Sequence, residues 1–298
     1  MTTERPQAGA AWHFGPDDAP VRVAGAEALL AHLPIFLGGW PLRRVAGAAS
    51  GCDVRVRTEA GGVIAVETFG PGAAVLRFDN EMDAANGLAG ALVAEYVAAR
   101  ADTVCLHAGS ALVGAGLCVL LGVSLAGKSS VAMQLAASGY RLFGDDRLAV
   151  RPVGGDAPAE GLCLGLQPKL RLPLPDDAGP ALAGFVESYT EIRTETVAYL
   201  RPWDTEAAGF GDTAPLEALV ALERGDDGDA PATLEPAPTA EIVRALLSNV
   251  FAAHMTAETL VTAMTRLAAC VPGYRLRWTS SRAAARLLAD ALKGTSPR

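Results

Sequence analysis

A continuous apolar run, Leu117–Leu121, lies in the middle of the chain and is followed at once by a glycine-rich loop. A short apolar run in front of such a loop predicts a β-strand. The β-like run before it, 103–113, is joined to it by Gly114-Ala-Gly116, and this spacing predicts a hairpin.

After the glycine-rich loop (122–127), the pattern predicts a helix from Lys128 to Ser138 and then a strand over 140–143. Gly139 suits the left-handed residue that ends many helices. A strand, a loop, a helix and a second strand in succession imply a parallel strand pair joined by a right-handed crossover.

Upstream of this unit the pattern changes to short alternating runs between glycines, such as Asp53–Arg57 and Val63–Val66. Alternation punctuated by glycine predicts small antiparallel strands. One short helix is predicted over Ala26–Leu33. Asp83–Arg100 has apolar residues at helical spacing, which predicts an amphipathic helix with Asp83 as its N-cap or first-turn acid.

The remainder of the chain is mixed. Leu162–Leu174 is strand-like but contains prolines, and 226–238 is a polar, proline-rich connector. Thr239–Leu267 is helical, with a possible break near His254, and Arg282–Leu292 predicts a final amphipathic helix.

Composition narrows the function classes. Half of the 298 residues are hydrophobic, and the net charge of −8 argues against a nucleic-acid partner, because phosphate contacts need clustered Lys and Arg. Five scattered cysteines without a CxxC pair fit reduced thiols rather than a zinc site. With no signal-peptide pattern and no apolar stretch long enough to span a bilayer, we expect a cytoplasmic protein that does not engage a membrane.

Lysine is rare in this chain. Of 25 basic residues only Lys128, Lys169 and Lys293 are lysine, and the rest are arginine. A lysine kept against such a bias is a candidate for a site that needs a compact ammonium. This points to Lys128 and Lys169.

The segment Gly122-Val-Ser-Leu-Ala-Gly127-Lys128-Ser129 satisfies every position of G-x-x-x-x-G-K-[ST]. Its glycines let backbone N–H groups turn inward around a β-phosphate, and the helix N-terminus adds partial positive charge. Lys128 would neutralise β/γ oxygens and the Ser129 hydroxyl would ligate Mg²⁺. The sequence therefore predicts ATP and Mg²⁺ as cofactors. The predicted nucleotide-binding residues are Gly122, Val123, Ser124, Leu125, Ala126, Gly127, Lys128, Ser129 and Ser130.

Two adjacent carboxylates, Asp145 and Asp146, follow the strand predicted after the helix. The C-terminal ends of parallel strands share one edge of a sheet, so we expect these acids near the triphosphate. Phosphoryl transfer needs a carboxylate for Mg²⁺ and a group to receive the proton of the acceptor hydroxyl, and two acids can divide those roles. The alternative is a solvated Asp-Asp turn.

His107 lies in an apolar run that leads towards the glycine-rich loop. A lone histidine in such a run is more often a hydrogen-bonded structural residue than a catalytic one. From the residues alone both interpretations stay open.

The ordered set of His107-Ala-Gly, the glycine-rich loop and Gly139-Tyr-Arg-Leu-Phe-Gly-Asp145-Asp146-Arg147 resembles the catalytic domain of HPr kinase/phosphorylase. The match is clearest over 103–150. It continues more loosely through 215–222 and the helical C-terminus, as in HPr-kinase-like proteins of peptide-modification clusters. The resemblance implies that Asp145 deprotonates an acceptor serine, that Asp146 and Ser129 hold Mg²⁺, and that His107 supports the acidic pair.

One departure from the family concerns Lys169. The bifunctional family members carry Glu-x-Arg-Gly past the acids, whereas this chain has Lys169-Leu-Arg171-Leu-Pro173. This difference argues against a reverse phosphorylase activity and against HPr itself as the substrate. Lys169 and Arg171 could grip a γ-phosphate or an acidic peptide acceptor, and a solvated strand face is an equal alternative.

We therefore expect an α/β protein with a P-loop-containing mixed sheet like that of the HPr kinase C-terminal domain. Its predicted parts are a flexible N-terminus (1–20), a small, β-rich α+β region (21–100) and a kinase domain with a helical C-terminal part (101–298). The predicted activity is ATP-dependent transfer to a serine hydroxyl of a peptide or small protein. A nucleotide-binding switch or scaffold and a small-molecule kinase remain alternatives, and the resemblance also implies a possible homo-oligomer.

Overall fold

The computed structural model describes residues 11–45, 51–151, 158–225 and 230–293. The chain divides into two compact units, Met1–Ala101 and Asp102–Arg298. Each unit is a mixture of helices and strands, so the chain is a mixed α/β protein.

In the first unit, the described residues form a six-stranded sheet and one long helix. Its strands are β1 (Ala11–Phe14), β2 (Val21–Ala24), β3 (Leu42–Val45), β4 (Val54–Thr58), β5 (Ile64–Thr68) and β6 (Val75–Phe78), in the order β3-β1-β2-β4-β5-β6. Neighbouring strands are antiparallel except β2 and β4, which are parallel. The small strands predicted upstream are present, although one pair runs parallel.

Two details of this unit differ from the sequence expectation. Residues 11–14, assigned to a flexible terminus, form β1, because this strand hydrogen-bonds on both sides, to β2 and β3; residues 1–10 lie outside the described residues. The short helix expected over Ala26–Leu33 is two 3₁₀ turns, Glu27–Leu29 and Leu33–Ile35.

The long helix of the first unit, α1 (Glu81–Ala98), begins and ends two residues earlier than the predicted Asp83–Arg100. The Asn80 side chain is the N-cap and accepts a 2.9 Å hydrogen bond from the Asp83 backbone N–H. Asp83 is therefore a first-turn acid, the second of its two predicted roles, next to the positive end of the helix dipole.

The described residues of the second unit form thirteen strands and five α-helices. The strands are β7 (Val104–Leu106), β8 (Gly109–Val113), β9 (Gly116–Leu121), β10 (Leu142–Gly144), β11 (Leu148–Arg151), β12 (Glu160–Leu162), β13 (Lys169–Arg171), β14 (Thr190–Arg193), β15 (Val197–Leu200), β16 (Thr213–Arg224), β17 (Thr233–Pro236), β18 (Val250–Phe251) and β19 (Gly273–Trp278). The helices are α2 (Lys128–Ala137), α3 (Gly179–Tyr189), α4 (Thr239–Leu247), α5 (Ala257–Cys270) and α6 (Ser281–Leu292).

The long strand β16 joins the two halves of a ten-stranded mixed sheet. Its C-terminal half pairs in parallel with β9 on one side and with β19 on the other. Its first residues pair antiparallel with β12, from which the sheet continues through β11 and β7 to β18. A separate three-stranded sheet has the order β13-β15-β14.

Helices cover both faces of this sheet, as the continuous apolar run of β9 requires. Cys118 and Leu120 pack in one hydrophobic cluster with residues of α2, α3 and α6, whereas Leu117, Val119 and Leu121 pack in a second cluster with residues of α4 and α5. All five side chains are fully buried. The strand is therefore the middle layer of a three-layer arrangement.

The predicted hairpin is present, and the predicted parallel pair needs correction. β8 and β9 are antiparallel and are joined across Gly114, whose φ is +70°. The strand after α2, β10, pairs with β8 rather than with β9. β9 and β10 therefore run in the same direction but are separated by β8, because the hairpin partner already occupies that side of β9.

Several downstream elements also differ. The run expected over 103–113 is split at His107 and Ala108, since β7 pairs with β11 and β8 pairs with β9. The helical region breaks as predicted, with β18 between α4 and α5. The connector expected over 226–238 contains β17, while 226–229 lie outside the described residues. No helix in the described part of the chain is both long and apolar enough to span a bilayer.

Candidate active site

The glycine-rich loop connects the buried strand β9 directly to the first turn of α2. Gly127, the residue before the helix, has φ +87°, a conformation that favours glycine. A Cβ atom at Gly127 would also lie 2.3 Å from the ring of Trp278, at the end of β19. Gly127 is thus required by its backbone conformation and by the close approach of a tryptophan that lies 151 positions later in the sequence.

Lys128 is folded against the loop that precedes it. Its ammonium Nζ donates hydrogen bonds to the carbonyls of Gly122, at 2.7 Å, and Val123, at 3.2 Å. Burial lowers the pKa of Lys128 from its ordinary value, and the nearby carboxylates of Asp146 and Asp145 act in the opposite direction. The lysine and both acids therefore belong to one electrostatic site.

The rest of the loop is open. Val123, Ser124 and Leu125 are exposed, and Leu125 adopts φ +71°, which is uncommon for a residue with a side chain. Ala126 is buried, and its N–H donates to the Val123 carbonyl at 3.1 Å. Because the first amides of a helix have no carbonyl four residues earlier in that helix, the N–H groups of Ser129 and Ser130 lack intrahelical partners.

The two acids lie in the tight turn between β10 and β11. Asp146 has φ +74°, in the left-handed region, where non-glycine residues are uncommon. Backbone conformations of this kind cluster at functional sites. The turn points the two adjacent carboxylates into different surroundings.

Asp145 is buried, with 1% of its surface exposed. Its Oδ2 accepts a 3.2 Å hydrogen bond from the Lys169 backbone N–H. Burial raises the pKa of Asp145 above its usual range, although the Ser129 hydroxyl and the Lys169 N–H favour the ionised form. Among the described residues, Asp145 Oδ1 has no hydrogen-bond partner. A buried carboxylate oxygen in this condition is suited to a cation or a proton.

Asp146 is more open and is held by two basic groups. His107 Nε2 lies 3.2 Å from Oδ1, and Lys169 Nζ lies 3.4 Å from Oδ2. The hydrogen bond from His107 holds the pKa of Asp146 far below its usual range, against the effect of burial and with help from the Lys169 charge. Asp146 is therefore ionised, and because a carboxylate only accepts, His107 donates through Nε2.

The backbone contacts around His107 place the His107–Asp146 ion pair close to the glycine-rich loop. The His107 backbone N–H donates to the Asn249 carbonyl at 2.7 Å. Gly109, two residues later, faces the first turn of α2, and a Cβ there would lie 3.1 Å from the Lys128 carbonyl oxygen. The small residue lets α2 approach β8 closely, which brings His107, Lys128 and the acidic turn into the same region.

The structure brings most of the predicted site residues together. Ser129, predicted to hold Mg²⁺ with Asp146, has a hydroxyl that favours the ionised form of Asp145. His107 contacts Asp146. Lys169 joins the site through both its backbone and its ammonium, whereas Arg171, two residues along β13, is exposed.

Two contacts near the site could not be found by sequence reasoning. The guanidinium of Arg147 lies 4.5 Å from the ring centre of Phe251, which is half-exposed and comes from β18. Trp278 packs on Gly127, as described above. Both aromatic residues are distant in sequence, and neither belongs to a motif, so only the sheet order of the folded chain shows that they border the site.

A divalent cation fits the residues that are present. No group of three or more His, Cys, Asp or Glu side chains able to hold a metal occurs among the described residues. Mg²⁺, however, is commonly bound by one or two carboxylates together with substrate phosphates and water. The unpartnered Oδ1 of Asp145 and the neighbouring Ser129 hydroxyl supply this kind of incomplete oxygen set.

Comparisons with known proteins leave the family of the chain open. No protein-family model matches it, and no curated protein matches it. Among solved structures, it matches the Hpr(Ser) kinase/phosphatase from Coxiella burnetii at 13% sequence identity and a TM-score of 0.29, over 63% of this chain and 92% of that one. A likeness this loose carries no argument, so the function rests on the site itself.

Proposed function

We propose that the chain is an ATP-dependent phosphotransferase that moves the γ-phosphate to a serine hydroxyl of a peptide or small protein. One observation carries the proposal: Asp145 is buried with an unpartnered Oδ1, and the hydroxyl of Ser129, the residue directly after the loop lysine, favours its ionised form. A helix N-terminus, a loop lysine, a hydroxyl and a buried acid together are the parts that phosphate and its metal ion require.

Asp145 and Ser129 are the residues that would hold Mg²⁺. The metal, when bound, would neutralise charge on the phosphate oxygens and favour ionisation of Asp145, whose pKa burial raises. Lys128 would exchange its loop carbonyl partners for β/γ oxygens. This assignment reverses the roles that the family resemblance gives to the two acids.

Asp146 would receive the acceptor. It is ionised, it is the more exposed of the two acids, and His107 and Lys169 fix its orientation. The serine oxygen attacks the γ-phosphorus, the bond between that phosphorus and the β–γ bridging oxygen breaks, ADP leaves, and the serine proton passes to Asp146. Since the pKa of Asp146 is low, its main task is to orient the hydroxyl, and the proton moves late.

An acidic segment of the acceptor fits the surroundings of Asp146. Lys169 and Arg171 lie two residues apart on β13 and therefore share one strand face, and Arg147 follows the acidic turn directly. These cations would pair with carboxylates that flank the serine. The acceptor is accordingly proposed as a serine-containing peptide with acidic neighbours.

The test is phosphate transfer from γ-labelled ATP to a serine peptide library, with and without acidic flanks, as a function of Mg²⁺. Asp146→Asn should lower the transfer rate by about 10²- to 10⁴-fold with little change in ATP affinity. Asp145→Asn should raise the Mg²⁺ concentration needed for ATP binding. A raised Mg²⁺ requirement in Asp146→Asn instead of Asp145→Asn would overturn the division of roles.

One observation favours a second candidate, a nucleotide-binding switch that transfers no phosphate. The Lys169 ammonium lies 3.4 Å from Asp146 and occupies an oxygen that the acceptor hydroxyl would otherwise use. ATP binding without transfer to any peptide of the library would favour this second function. Lys169→Met then distinguishes the two, because it should increase transfer only if the lysine blocks Asp146.

A further inference from the structure

A second candidate binding site, a positively charged cavity, lies near the C-terminal end of α2, away from its first turn. It has a volume of about 360 Å³ and is lined by parts of α2, α3 and α6. Its charged lining residues are Arg282, Arg286, Lys293 and Asp290. Three cations and one carboxylate leave the cavity with a surplus of positive charge, in a chain whose net charge is −8.

The two arginines lack carboxylate partners. Arg282 and Arg286 are one helical turn apart on α6, and no carboxylate among the described residues lies within 4.0 Å of either guanidinium. Asp290 lies 4.0 Å from Lys293 and is therefore shared with that lysine. Both arginines are exposed, and like charges at this helical spacing repel each other, so an anion bound between them would relieve that repulsion.

A helix N-terminus adds to the same charge. Gly179, Pro180 and Ala181, the first residues of the eleven-residue helix α3, line the cavity. Arg282 lies on Gly179, since a Cβ there would be 3.2 Å from Arg282 Nη1. A helix N-terminus carries partial positive charge, so the start of α3 adds to the attraction of this cavity for an anion. Asp177, just before α3, already accepts two hydrogen bonds from Ser281.

The inner wall of the cavity is well ordered by hydrogen bonds. Gln134, which is 2% exposed, donates through Nε2 to the Ala178 carbonyl at 2.9 Å and to the Ser281 hydroxyl at 3.4 Å. These bonds join α2 to the starts of α3 and α6. The two arginines on α6 and the N-terminus of α3 therefore lie on helices that hydrogen bonds to α2 hold in place.

We propose that this cavity binds a small anion with two or more acidic oxygens, either a phosphate ester or a polycarboxylate. Guanidinium groups bind both carboxylate and phosphate through paired hydrogen bonds, and the N–H groups of a helix start accept the same ligands. The volume lies within the range of small-molecule sites. The site is separate from the glycine-rich loop and does not depend on the proposed phosphotransferase activity.

The experiment is calorimetric titration of the full chain, in buffer without Mg²⁺, with inorganic phosphate and separately with citrate. At the cavity, wild type and Lys128→Ala should bind each anion with the same affinity, because Lys128 does not line it. Arg282→Gln together with Arg286→Gln should weaken binding about tenfold or more, since both guanidinium groups would lose their charge-assisted hydrogen bonds to the anion. Arg266→Gln, an exposed arginine on α5, is the matched control and should bind as wild type does.

The outcomes decide between the sources of the anion and can refute the site. Tighter phosphate binding identifies a phosphate ester, and tighter citrate binding a polycarboxylate. Binding that Lys128→Ala abolishes would assign the anion to the loop. Equal binding by the double arginine variant, folded by circular dichroism, would overturn the proposal, as would no saturable binding of either anion.

Discussion

At the scale of single residues, the two adjacent aspartates have opposite properties although they share a turn. Asp145 is buried with an unpartnered oxygen and a raised pKa, whereas Asp146 is held ionised by His107 and Lys169. The sequence predicted that two acids would divide two roles. It could not assign the roles, because the partners of each acid come from β13 and from the end of β7.

Replacing Asp145 by asparagine should stabilise the folded chain at neutral pH in the absence of metal and nucleotide. The folded-state pKa of Asp145 is raised above its unfolded value, so the stability associated with its protonated form is lost as the pH rises through the folded pKa. The asparagine variant keeps an acceptor for the Lys169 N–H and carries no charge to bury.

Urea unfolding between pH 4 and pH 8 measures this effect. The stability advantage of Asp145→Asn should be greatest at pH 8 and should shrink as the pH falls towards the unfolded value, about 3.9. Asp204→Asn, a change at an exposed aspartate, is the control and should show no such trend. A variant that is less stable than wild type across this range would mean that Asp145 is ionised and well paired in the free protein.

At the scale of elements, helix α2 has sequence signals at both ends that the structure explains. Gly139, with φ +90°, follows its last turn; the Gly139 N–H donates to the Ala136 carbonyl and the Tyr140 N–H to the Leu135 carbonyl. This is the Schellman pattern of helix ends. Gly127, with φ +87°, precedes its first turn. The two glycines share a backbone conformation and differ in their surroundings.

This difference predicts unequal costs of substitution. Gly139→Ala should lower the free energy of unfolding by roughly 1–2 kcal/mol, the cost of a left-handed alanine, because nothing lies within 4 Å of the added Cβ. Gly127→Ala should cost about 1–3 kcal/mol more, since its Cβ overlaps the Trp278 ring. Urea unfolding of the two variants gives the comparison, and equal losses would contradict the contact with Trp278.

In the second unit, the sequence predicted local elements better than it predicted which strands pair and which helices pack together. The hairpin of β8 and β9, the loop and α2 depend on nearby residues and were predicted. The parallel strand β16 beside β9, the parallel strand β19 beside β16, and the helix α3 follow from pairing and packing over long sequence separations. Tyr274-Arg-Leu-Arg-Trp278 does alternate, but alternation alone does not say which strand it joins.

At the scale of the whole molecule, the second unit contains every predicted site residue and also the separate basic cavity. Both sites are built on α2, with Lys128 and Ser129 at its start and Gln134 and Ser138 in its later turns. A polyanion such as ATP therefore has two candidate destinations in this unit. A measurement of nucleotide binding must separate them.

Calorimetric titration with ATP and Mg²⁺ tests the central claim, that the loop at 122–129 binds a nucleoside triphosphate. Wild type should bind ATP with Mg²⁺ at the loop, and Lys128→Ala should weaken this binding about 10- to 100-fold, since hydrogen bonds to charged groups contribute about 1.5–3 kcal/mol. Lys293→Ala, which removes a lysine of the second cavity, should leave the affinity unchanged. Unchanged affinity in Lys128→Ala, or loss of binding in Lys293→Ala alone, would contradict the account.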